Sequence, residues 1–133
     1  MDNTMYLGTA DRTQRGDTKE FLLALKEMKR VLKAGGVLHI TFPFGKYENH
    51  GWFQQFDSEL TDKLIREFAP SHFNETLFRY DPDGWRLSDR ASCAHCEFFD
   101  VRASKYFDRN SKIGYPQDYP AGERAVACLE LFK

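Results

Sequence analysis

The stretch from Lys26 to Gly45 constrains the fold more than any other part of this chain. It begins on the basic end of an amphipathic segment and stops at Gly35-Gly36. It continues as an apolar, β-branched run, Val37 to Phe44, interrupted at Pro43 and closed by Gly45. A helix that halts at glycine and feeds a strand is the joint from which α/β folds are built. The spacing predicts the helix over Thr18 to Lys33. Asp17 caps it, Glu20 is the reciprocal partner, and Phe21, Leu22, Leu25, Met28, Val31 and Leu32 form one buried stripe. Lys26, Lys29, Arg30 and Lys33 suit its C-terminal dipole, and Gly35 or Gly36 supplies the left-handed residue that ends it. An unbroken apolar run such as Val37 to Phe44 suits a strand covered on both faces, as in a parallel sheet.

Further on, Leu60, Leu64, Ile65 and Phe68 recur at helical spacing. They predict a helix over Ser58 to Phe68, capped by Asp57 or Ser58 and followed by Pro70. Glu75 to Tyr80 reads as a strand. Asp81-Pro82-Asp83-Gly84 reads as a tight turn, because proline presets one turn dihedral and glycine accepts a positive one. Trp85 to Leu87 returns as a short strand, and Arg124 to Phe132 reads as a terminal core strand. Residues 1–16 are polar and read as a loop or arm, and residues 88–120 read as an irregular insertion. The expected fold is α/β, a small mixed β-sheet with packed helices, in a single domain over residues 1–133.

The order helix, strand, helix, strand, insertion, strand resembles the last part of a class I S-adenosylmethionine-dependent methyltransferase, a Rossmann-like fold. The resemblance is carried by Arg30-Val31-Leu32-Lys33-Ala34-Gly35-Gly36 and by Pro43-Phe44-Gly45. Ala34 stands where that family usually has proline. The resemblance implies a final strand inserted antiparallel between its two predecessors. It also implies a domain whose cofactor-binding front half, with its glycine-rich turn after the first strand, is missing. On that alignment no residue is assigned as a ligand of S-adenosylmethionine, and the lone chain is expected to hold no cofactor unless the missing half is supplied. The strand at Val37 to Phe44 would then lose its usual neighbour. A long apolar edge invites pairing, so the expected partner is a second copy in a dimer, or the missing methyltransferase half.

Net charge decides against two other partners. With 19 basic and 20 acidic residues the chain carries −1. That balance gives no electrostatic case for nucleic acid or for an anionic membrane. No apolar run is long enough for a membrane span, and Met1-Asp2-Asn3-Thr4 does not read as a signal peptide. A cytoplasmic protein with reduced thiols is the expectation.

Candidate chemistry gathers in the segment after the apolar run. Tyr47, Glu48, Asn49, His50, Trp52 and Gln54 form a candidate substrate loop, with His50 or Glu48 as proton acceptor and Trp52 and Phe53 as stacking surfaces. The competing reading is a loop that packs on and caps the next helix. Cys93 and Cys96 have the C-x-x-C spacing of a zinc knuckle, but no second pair completes four ligands. A plain reduced pair competes with a small zinc site. Cys128 reads as a small buried residue and His39 as a hydrogen-bonded strand residue. Arg79, Arg86, Arg90 and Arg102 read as a solvated, salt-bridged surface. Tyr106, Phe107, Tyr115 and Tyr119, with Pro116 and Pro120, suggest a lid over the 46–57 loop or a dimer surface. The leading functional expectation is a binding or interaction module without catalysis of its own. A methyltransferase active when dimerised or complemented, and a zinc-binding protein, are the alternatives.

Overall fold

The structure is a computed structural model, and it describes residues 20–50, 53–99, 105, 108–112, 114 and 122–133. The expected arm at 1–16, the cap at Asp17, and Tyr106, Phe107, Tyr115 and Tyr119 lie outside the described residues.

Helix α1 spans Glu20–Val31 and helix α2 spans Ser58–Phe68. Between them come strand β1 (Val37–Pro43) and a two-stranded ribbon of β2 (Glu48–Asn49) and β3 (Gln54–Gln55). After α2 follow β4 (His72–Asp81), β5 (Gly84–Ser88), the single-turn helix α3 (Arg90–Cys93) and β6 (Ala125–Phe132). The main sheet has the order β1-β6-β4-β5. The helix, strand and turn periodicities therefore locate the elements well, whereas α3 lies inside the stretch expected to be irregular.

The sheet differs from the mixed sheet expected. All three pairings, β1 with β6, β6 with β4, and β4 with β5, are antiparallel. β1 and β4 point the same way, but they do not meet, because β6 lies between them. Register is continuous across the insertion: Leu129 faces both Ile40 and Glu75, and Ala127 faces both Phe42 and Leu77.

Both long helices cover the same face. Phe21 and Leu25 of α1 and Leu64 and Phe68 of α2 join Ile40, Phe42, Leu77, Ala125, Ala127, Leu129 and Leu131 in one core. β6 alternates strictly between buried and half-buried residues, as a strand with one covered face must. The two-sided cover expected for β1 is likewise corrected, since His39 and Thr41 are exposed while Ile40 and Phe42 are buried. Val31 is 68% exposed, not part of the α1 stripe. Its angle is about 80° off the line through Phe21, Leu25, Met28 and Leu32 at roughly 100° per residue. Cys128 lies on the open face and is half-buried.

The helix ends are held by side chains. Asp57 accepts the Leu60 amide at 2.9 Å, and Thr61 donates its hydroxyl to the Asp57 carbonyl at 2.7 Å. Gly35, at φ +74°, is the left-handed stop after α1. Lys133 Nζ donates to the Lys29 and Leu32 carbonyls at 2.7 and 2.6 Å, which ties the C-terminal turn of α1 to the residue that follows β6. Lys29 in turn donates to the Phe68 and Ala69 carbonyls at the end of α2.

This arrangement makes Leu129 a keystone, fully buried between the helices and the sheet. Leu129→Ala should cost about 2–5 kcal/mol in urea unfolding, the range for truncating a core leucine. Leu87→Ala, at a position 74% exposed on β5, should stay within about 0.5 kcal/mol of the parent.

Candidate functional site

The candidate loop is folded back on the end of β1 and held there by the backbone. Phe56 N donates to the Pro43 carbonyl and Gly45 N to the Phe56 carbonyl, both at 2.9 Å. Gly45 has to be glycine, since a Cβ there would sit 2.2 Å from the Cys96 carbonyl oxygen. The Gln55 side chain is fully buried, and its Nε2 donates to the Lys46 and Cys96 carbonyls at 2.9 Å each. Lys46 N also donates to the Cys96 carbonyl at 2.9 Å. Residues 96–99, some 40 to 50 positions away in sequence, are thus stitched to this loop.

Glu48 and His50 carry that attachment into side-chain chemistry. His50 Nε2 lies 2.7 Å from Glu48 Oε2, with both side chains 23% exposed. The Phe98 amide donates to both oxygens of the same carboxylate at 3.3 Å. The His50 ring stacks flat on Phe53, with centroids 4.6 Å apart and planes at 2°, while Phe98 closes on both rings at 5.2 and 4.4 Å. Phe98 gets this close to the chain because Gly122, at φ +92°, has no Cβ, which would meet the ring at 2.7 Å. A carboxylate that orients an imidazole is the geometry of a general base. Here, though, the carboxylate is also bound to a backbone amide, and the imidazole is packed in a three-ring cluster with Phe53 and Phe98. What the arrangement does physically is fasten the 46–56 ribbon to residues 96–99.

The predicted loop residues are therefore only partly brought together. Glu48 and His50 meet. Tyr47 is 42% exposed and Asn49 is exposed. Gln54 is buried, and its Oε1, like that of Gln55, has no hydrogen-bond partner among the described residues. Trp52 lies outside the described residues. Sequence reasoning missed Phe98, Gln55 and Gly122. Nothing in local spacing links Phe98 to Glu48, and the only signal was the aromatic pair Phe98-Phe99 two residues after Cys96.

The cysteine and arginine candidates have other surroundings. Cys93 and Cys96 are buried free thiols within the core. Burial pushes the Cys96 thiol up, with the neighbouring Cys93 adding to the shift, and burial raises the Cys128 thiol too. Among the described residues no group of three His, Cys, Asp or Glu side chains is placed to hold a metal. His39 is exposed, its Nδ1 lying 3.6 Å from Glu130. Arg90 is salt-bridged, as expected, but half-buried instead of solvated. It grips Glu75 with two hydrogen bonds, at 2.9 and 2.6 Å, and Asp62 with one at 2.8 Å, so it joins α3 to β4 and α2. Arg102 lies outside the described residues.

Compared with protein-family models, with curated proteins and with solved structures, the chain gives no match.

The Glu48 carboxylate is the centre of this site, since one group satisfies both an imidazole and an amide. Glu48→Ala should lower unfolding free energy by about 1–3 kcal/mol, because both donors lose their partner in a half-buried place. A urea melt reads the loss, and a shift below a few tenths would show that the ribbon is held by its backbone bonds and the Gln55 amide without Glu48.

Proposed function

We propose that this chain is an interaction module, built like the back portion of a class I methyltransferase-like domain, that self-associates through the free edge of β1. Two observations support the likeness: the helix–Gly-Gly–strand joint at Arg30 to Gly36, and a last strand lying antiparallel between two that point the same way.

The observation that carries the proposal is where β1 aims its backbone. Lys133 N donates to the Gly36 carbonyl and Phe44 N to the Ala125 carbonyl, each at 2.9 Å. In an antiparallel ladder, pairs that exchange hydrogen bonds alternate with pairs that do not. Leu38, Ile40 and Phe42 therefore bond inward to β6, while Val37, His39 and Thr41 aim N–H and C=O outward. Pro43 has no N–H to offer, and its carbonyl is taken by Phe56. The free edge is the stretch from Val37 to Thr41, which has no strand partner among the described residues.

A second copy fits this edge by its own symmetry. Two β1 strands related by a two-fold at His39 would place Val37 opposite Thr41 of the other copy, with outward groups on both facing each other. Their Leu38 and Ile40 side chains would fall on the same, helix-covered side. Every outward donor and acceptor would then gain a partner, and two four-stranded sheets would become one.

The proposal gives S-adenosylmethionine no site on this chain. Gly45, the glycine at the end of β1, is filled by the Cys96 carbonyl and the Gln55 amide. Asp81, the acid at the end of β4, is bound within its own hairpin by Arg86 at 3.1 Å. A methyltransferase assembled with a separate cofactor-binding subunit is the second reading, favoured by the strand order alone.

Light scattering should give twice the 15.5 kDa chain mass. Thr41→Pro deletes one outward N–H and should yield a folded monomer, because edge strands tolerate proline. Phe42→Pro deletes an inward bond and should unfold the chain. A wild-type monomer at all concentrations would sink the proposal. Calorimetry with S-adenosylmethionine should show no heat, and tight binding to the chain by itself would promote the second reading.

A further inference from the structure

The thiols of Cys93 and Cys96 take no part in the β1 edge or in the Glu48–His50 cluster, yet the fold sets them side by side. Cys93 ends α3, and the Cys96 amide donates to the Cys93 carbonyl at 3.0 Å. Ala94, between them, has right-handed helical backbone at φ −58° and ψ −25°. Residues 93–96 therefore form one tight turn, whose ends lie within about 7 Å of each other at Cα. A disulfide spans about 4.4–6.8 Å between the same atoms, so the turn holds the pair at bridging distance. Both side chains join the same core cluster, Cys93 at 0% and Cys96 at 6% exposure. Burial is the main cause of the raised Cys96 thiol and Cys93 the next, so the two sulfurs are near enough to sense each other's charge.

The third cysteine is kept apart. Cys128 stands in register with Thr41 and Thr76 on the open face of the sheet, while Cys93 and Cys96 pack on the helix-covered side. Cys93 with Cys96 is thus the one thiol pair that a single folded chain can close. Cys96 is also where the ribbon is anchored. Its carbonyl accepts the Lys46 amide and the Gln55 Nε2 at 2.9 Å each, and it fills the space beside Gly45. Two residues on, the Phe98 amide holds the Glu48 carboxylate.

We propose that Cys93 and Cys96 form a reversible disulfide that fastens residues 96–99, and through them the 46–56 ribbon, to α3. The co-reactant is a soluble disulfide such as glutathione disulfide. Cys96 meets it first, since Cys96 lines a cleft of about 460 Å³ with Arg79, Arg124, His95 and Phe98. The Cys96 thiolate attacks one glutathione sulfur, the glutathione S–S bond breaks, and one glutathione leaves as its thiolate. The Cys93 thiolate then attacks Cys96 Sγ and expels the second glutathione. The two cysteines give up two electrons and two protons. The glutathione disulfide takes the electrons, and its two released thiolates take the protons. Burial disfavours the Cys96 thiolate, so closure is slow, and the same burial shields the bond once it has formed.

The test equilibrates the whole chain, folded and in urea, with glutathione buffers of graded ratio. Free thiols are then blocked with N-ethylmaleimide, and the tryptic peptide of residues 91–102, which carries both cysteines, is read by mass spectrometry. In the folded chain this peptide should lose the mass of two hydrogens, leaving Cys128 as the alkylated thiol. The closed form should persist at a proportion of glutathione disulfide about tenfold or more below that needed in urea, because only the fold builds the turn. Hydrogen exchange at the Lys46 and Phe98 amides should slow in the oxidised chain. Cys128→Ser should change none of these readings, and Cys93→Ala should trap glutathione on Cys96. Closure no easier in the folded chain than in urea, a folded wild-type chain that carries glutathione on Cys96 without closing, or unchanged exchange at both amides would each overturn the proposal. If Cys93→Ala does not fold, the wild-type readings decide by themselves.

Discussion

The insertion of β6 between β1 and β4 is the constraint on which the rest of this structure depends. β1 and β4 are not paired with each other, so β1 and the β4–β5 hairpin are joined in the sheet only through β6. Its buried positions change in size along the strand. Ala125 and Ala127 are small where the rings of Phe21, Phe42 and Phe56 gather, whereas Leu129 and Leu131 are the larger buried residues at the strand's other end. Just past the strand, the Lys133 ammonium takes carbonyls of Lys29 and Leu32. One segment thereby completes a sheet, a core and a helix end. Because its partners begin 88 and 53 residues earlier, at Val37 and His72 against Ala125, none of this is secured by local contacts, and topologies of this kind fold slowly.

What could be read from the sequence was local, and what could not was long-range. α2 was legible at both ends, because Asp57 caps within one turn and Pro70 follows immediately. The Asp81-to-Gly84 turn was legible because its chemistry is complete in four residues. The sheet's composition was not, since the apolar run Val37 to Phe44 reads as doubly covered when only residue types are seen. The alternation appears once β1 is known to expose His39 and Thr41, two residues of modest polarity. Arg90 was legible as a charge but not as a hub, because Asp62 and Glu75 come together only when α2 and β4 do.

The candidate loop illustrates the same division. The sequence singled out Glu48 and His50, and the structure joins them. The meaning of the pair, though, comes from Phe98, whose amide and ring supply half of the surroundings. The ribbon and the 96–99 segment thus stabilise each other. Residues 96–99 carry consequences in two directions, since the same short segment holds the Glu48–His50 pair and walls the arginine-lined cleft.

The two edges of the sheet are managed differently, and the difference supports the assignment of β1 as the contact surface. β5 is short, five residues, and carries Arg86, whose ion pairs with Asp81 and Asp83 place charge on that edge. Charged, short edges resist pairing with other strands. β1 has a different character. Its exposed stretch offers Val37, His39 and Thr41 with no lysine, glutamate or bulge among them, and proline enters only at Pro43, where Phe56 already covers the backbone. If this edge served only to meet water, a charge at Thr41 would cost nothing in the core and would protect the chain from aggregation. The β1 edge is thus regular and free of acids and lysines, whereas β5 is short and carries Arg86, and it is this difference that makes β1 the edge proposed to pair.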